Sequence, residues 1–204
     1  GGEVAEMPDL YRPGHYDLAG TILGVVSEGD ALHGDRVRPG DVLVGYASTG
    51  LHTNGYSLAR RIVFDQLGFD MASEIPELGT SAADALLTVH RSYHASVSSV
   101  LPRVHALAHI TGGGLPGNLS RSLPDGCGAS IDTSTWQVPP LFTFLQEGGN
   151  VERNEMFDVF NMGIGLVAIV PSDAVDEVQT AARDADVPTW VIGEVVQGDG
   201  VQLH

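Results

Sequence analysis

The chain has 204 residues, 43% of them hydrophobic and only 6% aromatic, which suits one aliphatic core of ordinary domain size with room for part of a second domain. It carries 26 acidic residues against 10 basic ones, all ten of them arginine, for a formal net charge of −16. That balance argues against nucleic acid as a partner, because polyanion binding relies on Lys and Arg, and no apolar run approaches the roughly 20 residues of a membrane span.

The absence of lysine excludes a phosphate-gripping P-loop lysine and a Schiff-base lysine within this segment. Any phosphate held here must be met by backbone N–H groups, Arg, His or a metal ion. Two explanations of the lysine deficit stay open: codon usage in a GC-rich genome, or a salt-adapted carboxylate surface whose self-repulsion salt screens. Cys127 stands alone, so no disulfide framework forms within the chain. Flanked by two glycines, it reads as a small buried filler in a protein of the reducing cytoplasm. The first residue is not Met and no basic-then-apolar leader follows, so a cut end is expected there.

In chain order, residues 1–8 set Glu3 and Glu6 three apart beside a glycine pair, a pattern that could hold a metal ion or touch a nucleotide. Residues 16–26 read as a largely buried strand, and the turn at 38–41 delivers a second strand over 42–47. A polar loop at 48–55 leads into a helix over 56–67, which Gly68 stops. Apolar spacing from Leu86 to Val100 predicts one longer helix, closed by Pro102. Residues 104–110 alternate as a strand and run into three consecutive glycines. A short helix over 115–123, a strand over 129–133 and helices over 140–146 and 151–159 follow. A slim strand spans 162–170, then comes a helix that Ser172 is placed to cap. Closing strands cover 190–196 and 201–203. Strands and helices alternate throughout, which predicts a layered α/β or α+β domain.

Two loops carry the strongest chemical signal. Ser48, Thr49, Gly50, His52, Asn54 and Gly55 gather hydroxyls, an imidazole and an amide between a strand and a helix start, a space sized for an anion. A histidine between two glycines could bind substrate, move a proton or orient a phosphate near neutral pH. Thr111, Gly112, Gly113 and Gly114 let the backbone approach a ligand and present several N–H donors together. His105 and His109 share a strand face and, lacking a third ligand, read as structural or substrate-adjacent. His33, His90 and His94 carry no pattern. Trp136 and Trp190 read as core or rim residues, and Asp132 and Asp158 as turn or surface acids.

Taken together, the words GGEVAEMPDLY at 1–11, YDLAGTILGVV at 16–26, GDVLVGYASTGLHTNGYSLAR at 40–60, HITGGGLPGNLSRSLP at 109–124 and WQVPPLFTFLQEGGNVERNEMFDVFNMGIGLVAIVP at 136–171 resemble aminoimidazole ribonucleotide synthetase, the phosphoribosylformylglycinamidine cyclo-ligase family. The resemblance implies a three-layer α/β/α C-terminal domain with partial likeness to a ferredoxin-like core. It implies that residues 1–30 are the remnant of an N-terminal ATP-binding and dimerisation domain, and that 31–204 form the substrate-binding domain. The implied chemistry is ATP-dependent closure of formylglycinamidine ribonucleotide to aminoimidazole ribonucleotide with release of ADP and phosphate. ATP would activate the formyl amide oxygen, and a nitrogen of the substrate would then attack that carbon.

On this likeness His52 is the residue nearest the chemistry, and 48–55 and 111–114 grip the ribonucleotide. Glu3 and Glu6 would contact ATP or its Mg2+, and a homodimer is expected of the full-length enzyme. Asn161 and Gly163 matter only for packing on this reading. A truncated form lacking its nucleotide-binding half would be inactive alone. Two other functions stay open: a non-catalytic domain that binds ribonucleotide phosphate, and a related ATP-dependent enzyme such as the amidotransferase of the preceding step.

Overall fold

The computed structural model describes residues 20–204. The chain divides into two units, Gly1–Ala31 and Leu32–His204. In the first, the described residues form a single 3-10 turn, Glu28–Asp30, and Ile22, Leu23 and Val25 are exposed. The strand expected at 16–26 is therefore absent over its described part, and residues 16–19 lie outside the described residues.

The second unit opens with β1 (Val42–Ala47), then α1 (Tyr56–Arg60), which widens into a π-type turn over Arg61–Gln66, where Leu67 N–H bonds Ile62 O at 2.9 Å. A two-residue hairpin, β2 (Glu74–Ile75) with β3 (Thr80–Ser81), precedes α2 (Ala82–Leu86). Next come α3 (His94–Val97), β4 (Ala106–His109), α4 (Gly114–Leu119) and β5 (Cys127–Ile131). The chain closes with α5 (Pro140–Gly149), α6 (Arg153–Val159), β6 (Ile164–Val170), α7 (Val175–Asp184), β7 (Thr189–Gln197) and β8 (Val201–Leu203).

Six strands make one sheet in the order β4-β6-β1-β7-β5-β8, antiparallel except where β8 lies parallel to β5. Strand periodicity sends alternate side chains to opposite faces, and both faces are covered. Leu43 of β1 and Val167 and Ile169 of β6 meet α1, α4, α5 and α6 through Ala59, Leu115, Phe142 and Met156. Val44 and Tyr46 of β1 and Leu166, Ala168 and Val170 of β6 meet α3 and α7 through Val97, Val178 and Ala182. Every residue of β6 is buried, as a central strand between two helical layers requires. The result is the three-layer α/β/α arrangement expected.

Four local expectations are corrected. The single helix over 86–100 is broken into α2, an irregular stretch and α3, because the stretch is pulled outward by tertiary bonds: Thr49 Oγ1 donates to Val89 O (2.7 Å) and Arg91 Nη1 to Asp186 O (3.0 Å). Val89, one of the residues whose apolar spacing predicted that helix, is exposed. Ser172 does not cap α7 with its side chain; a 3-10 turn, Ser172–Ala174, leads into the helix instead. Cys127 is half-buried at the start of β5 rather than enclosed.

At the far end of the first strand, Asp41 is 1% exposed. Its carboxylate accepts from Arg38 N–H (3.0 Å) and lies 2.7 Å from His105 Nδ1, so His105 is a structural residue, as expected. Asp41→Ala is expected to cost about 1–2 kcal/mol, since it leaves two partly buried groups, Arg38 N–H and His105 Nδ1, without their buried partner. The midpoint of urea unfolding checks it.

Candidate functional site

β1 and β4 both pair antiparallel to β6. They therefore run in the same direction, and the loops after them leave the sheet at the end where β6 begins. Three segments distant in sequence meet there: 48–55, 109–114 and 157–163.

The first loop is held from below by Asn161, which is 4% exposed. Its Oδ1 accepts from Ser48 Oγ (2.7 Å) and Gly163 N–H (2.9 Å), and its Nδ2 donates to Gly50 O (2.8 Å). Ser48 N–H adds a bond to Gly163 O at 2.8 Å. The second loop has an equivalent clamp in the buried Asn118. Its Oδ1 accepts from Thr111 Oγ1 (2.9 Å), and its Nδ2 donates to the carbonyls of Thr111 (3.1 Å) and Gly114 (2.8 Å). An amide side chain offers both donors and an acceptor, so one residue can satisfy a loop that has no ladder of its own.

The clamped loops touch. A Cβ placed on Gly112 would lie 3.6 Å from Asn54 Oδ1. Gly112, Gly113 and Thr53 are exposed, and Thr49, Asn54 and Gly55 are half-buried, while Ser48, Gly50 and Gly114 lie beneath them. Among the described residues neither Gly112 nor Gly113 donates its amide to another group of the chain. This accessible rim can therefore offer backbone donors to an anion.

His52 sits under the rim, 3% exposed and with φ +58°, in the left-handed region. Met162, in the turn that holds Asn161, also has positive φ (+48°), so backbone strain collects at this end of the sheet. The imidazole Nε2 accepts from Thr49 N–H (3.2 Å), and Nδ1 is buried without a partner. The ring fits because position 165 is glycine: a Cβ there would lie 2.2 Å from Tyr93 Oη and 2.5 Å from His52 Cε1. Burial first, and then the neighbouring His90, His109 and Arg91, push the His52 imidazole down to about 4, so it is neutral at neutral pH. His90 stacks on it with ring centroids 3.9 Å apart, and His109 Nε2 lies 3.4 Å from His90 Nε2.

The structure thus brings together Ser48, Thr49, Gly50, His52, Asn54 and Gly55 with Thr111, Gly112, Gly113 and Gly114. Glu3 and Glu6 lie outside the described residues. Trp136 is a core residue that donates Nε1–H to Met162 O (2.9 Å), and Asp132 is an exposed turn acid whose carboxyl Ser134 holds below its ordinary value. Three residues were missed or undervalued from sequence: His90, Asn118 and Asn161. For Asn118 a signal existed, an amide side chain beside the glycine cluster whose carbonyls it bonds. A cavity of about 620 Å3 opens elsewhere, lined by Leu67, Phe69, Val138, Phe144 and Glu147 among others. None of its lining residues belongs to the three converging segments.

Fold and site together define an acidic α/β/α domain with two amide-clamped, glycine-bearing loops at one end of a mixed sheet. Residues 38–204 match the family described as AIR synthase related protein, C-terminal domain, and the chain belongs to that family. The phosphoribosylformylglycinamidine cyclo-ligase of Geobacter sulfurreducens is 47% identical over 199 residues, covering 97% of this chain and 57% of that protein. That of Geobacter metallireducens is 49% identical over 199 residues, with 97% and 57% covered. The chain spans a little over half the length of these curated relatives. Among solved structures, thiamine-monophosphate kinase from Stenotrophomonas maltophilia shares the fold at TM-score 0.60 and 19% identity, covering 87% of this chain and 54% of that one. The hydrogenase maturation protein HypE of E. coli does so at TM-score 0.54 and 23% identity, covering 85% and 49%.

Proposed function

We propose that this chain is the substrate-side part of an ATP-dependent cyclo-ligase that closes formylglycinamidine ribonucleotide to aminoimidazole ribonucleotide, with ADP and phosphate released. Identity of 47–49% to proteins of that name across nearly the whole chain carries the reading. The convergence of the two glycine-bearing loops supports it, since they supply the anion grip that a chain without lysine needs. Residues 31–204 are assigned to substrate binding and 1–30 to the nucleotide-binding side. A homodimer of the complete, cytoplasmic enzyme belongs to the same proposal. Among the described residues no helix is long and apolar enough to cross a membrane.

Nucleotide use is supported by relatives of the fold: T. maritima PurL was solved with AMPPCP (TM-score 0.51, 12% identity), and AaThiL with AMPPCP and TMP (TM-score 0.52, 16% identity). Mg2+ takes carboxylate and other oxygen ligands. Neither 48–55 nor 109–114 contains an acid, so these loops do not fit that metal. Glu3 and Glu6 are proposed for the ATP and Mg2+ side.

Ring closure is intramolecular, so this domain's work is to hold a bent substrate and exclude water. The free amides of Gly112 and Gly113, with Thr49, Asn54 and Gly55, are assigned to the ribonucleotide. His52 is assigned to the reacting centre as a neutral imidazole, able to accept a proton or steady developing charge. In a complete cyclo-ligase carrying this chain, His52→Ala is expected to cut turnover at least about tenfold while the circular dichroism spectrum is kept. Wild-type turnover would overturn the assignment. A second reading is a non-catalytic domain that binds ribonucleotide phosphate; the free amides of Gly112 and Gly113 favour anion binding, and neither 48–55 nor 109–114 contains a carboxylate for Mg2+. Calorimetric binding of ribose 5-phosphate without ATP hydrolysis would support it.

A further inference from the structure

We propose that His52, His90 and His109 form a binding site for a borderline-soft divalent ion, of the class of Zn2+, Co2+ or Ni2+. Three segments that share no sequence proximity each deliver one imidazole: the loop after β1, the irregular stretch between α2 and α3, and the last residue of β4. One ring nitrogen from each lies within 4.8 Å of the other two. The Nε2 atoms of His90 and His109 are 3.4 Å apart, which is long for a hydrogen bond between nitrogens. It matches the edge of a tetrahedron whose corners lie about 2.0–2.1 Å from a central ion, the distance at which imidazole binds zinc.

The surroundings agree with that ligand class. Imidazole donors select transition ions over Mg2+ or Ca2+, which take oxygen, and no carboxylate belongs to the cluster. His52 adds a buried ring whose Nδ1 has no partner. His109 is exposed and His90 half-buried, so an ion can enter from solvent and keep a fourth position open to water or an anion. The net charge of −16 draws cations towards the surface as a whole.

The three ligands are not equivalent. His52 and His90 lie nearly parallel, 14° apart, and parallel rings do not aim their lone pairs at one point. His52 also accepts Thr49 N–H at Nε2. His90 and His109 are therefore the primary pair, and His52 joins as the third ligand once its ring or that of His90 turns out of the stack. Ion binding is thus tied to the conformation of 48–55. The site stands on geometry and does not depend on the cyclisation reading.

The test is titration of the EDTA-stripped chain with CoCl2 and ZnCl2, read by calorimetry and by the visible absorption of Co2+, in excess Mg2+ to fill non-specific carboxylate sites. One ion per chain is expected, with the intense bands of four-coordinate Co2+. His90→Ala and His109→Ala should each weaken binding at least about tenfold, by loss of one of the two primary nitrogens, and His52→Ala less. His90→Gln, with thermal melts of every variant, separates loss of the ligand from loss of the fold. Binding that Mg2+ abolishes, or that survives both His90→Ala and His109→Ala unchanged, would overturn the proposal.

Discussion

Asn161→Ala is expected to destabilise the chain by about 2–4 kcal/mol, a range centred on the roughly 3 kcal/mol that its three side-chain bonds suggest at about 1 kcal/mol net each. The groups left behind set where in that range the loss falls. Ser48 Oγ, Gly50 O and Gly163 N–H all point to the place of this buried side chain, where an alanine bonds none of them. The substitution also loosens the loop that carries His52, leaving it the bonds from Ser48 N–H to Gly163 O and from Thr49 Oγ1 to Val89 O. Two measurements follow. The urea midpoint should fall with an unchanged denaturant slope, the mark of a stability change without a change in compactness. In a complete cyclo-ligase at a temperature where the variant is folded, kcat/KM should fall as well. Asn161→Asp keeps the acceptor for Ser48 and Gly163 but sets an anionic oxygen against Gly50 O, so it should not rescue. A variant with wild-type stability would show that the clamp is incidental.

The parts of this fold that could be read from sequence are those governed by local signals. β1, β6 and β7 announce themselves as apolar runs between turn residues. The two site loops do so as glycine and small polar residues placed directly after strands. What sequence could not show depends on groups far apart along the chain. The helix expected from Leu86 to Val100 has sound apolar spacing, yet Thr49 and Asp186 draw its middle out through bonds to Val89 O and from Arg91. That same distortion puts His90 on His52, so the misread helix and the missed imidazole are one error. Asn161 looked like packing because its partners at 48 and 50 precede it by more than a hundred positions. Asn118 sits close to the loop it holds and could have been found by asking where the carbonyls of a three-glycine run find donors. Over its described part, residues 20–26, the strand expected at 16–26 does not form, although its residues are apolar enough.

Two glycines three residues apart should respond to alanine with opposite signs. Gly114 has φ +57°, and a Cβ there would lie 1.7 Å from Phe157 O and 2.7 Å from Phe157 C. The obstacle is backbone, so no rotamer change relieves it. A left-handed alanine costs about 1 kcal/mol before any contact is considered, and overpacking adds about 1–3 kcal/mol. Gly114→Ala should therefore lose about 3 kcal/mol or more. To accommodate the methyl group, the end of α6 must retreat, and with it Phe160 and the Asn161 turn, so both clamped loops are disturbed by one carbon atom. Gly117 lies inside α4, and a methyl group added there would meet nothing within 4 Å. Gly117→Ala should gain about 0.5–1 kcal/mol, since alanine gives up less chain entropy than glycine in a helix. Thermal melts of the two variants beside the parent chain decide the matter. If both shift the same way, the close approach between Gly114 and α6 is not what fixes the triple-glycine loop. If they split as expected, the third glycine of that run is there for packing against α6, and only Gly112 and Gly113 are free to face a ligand.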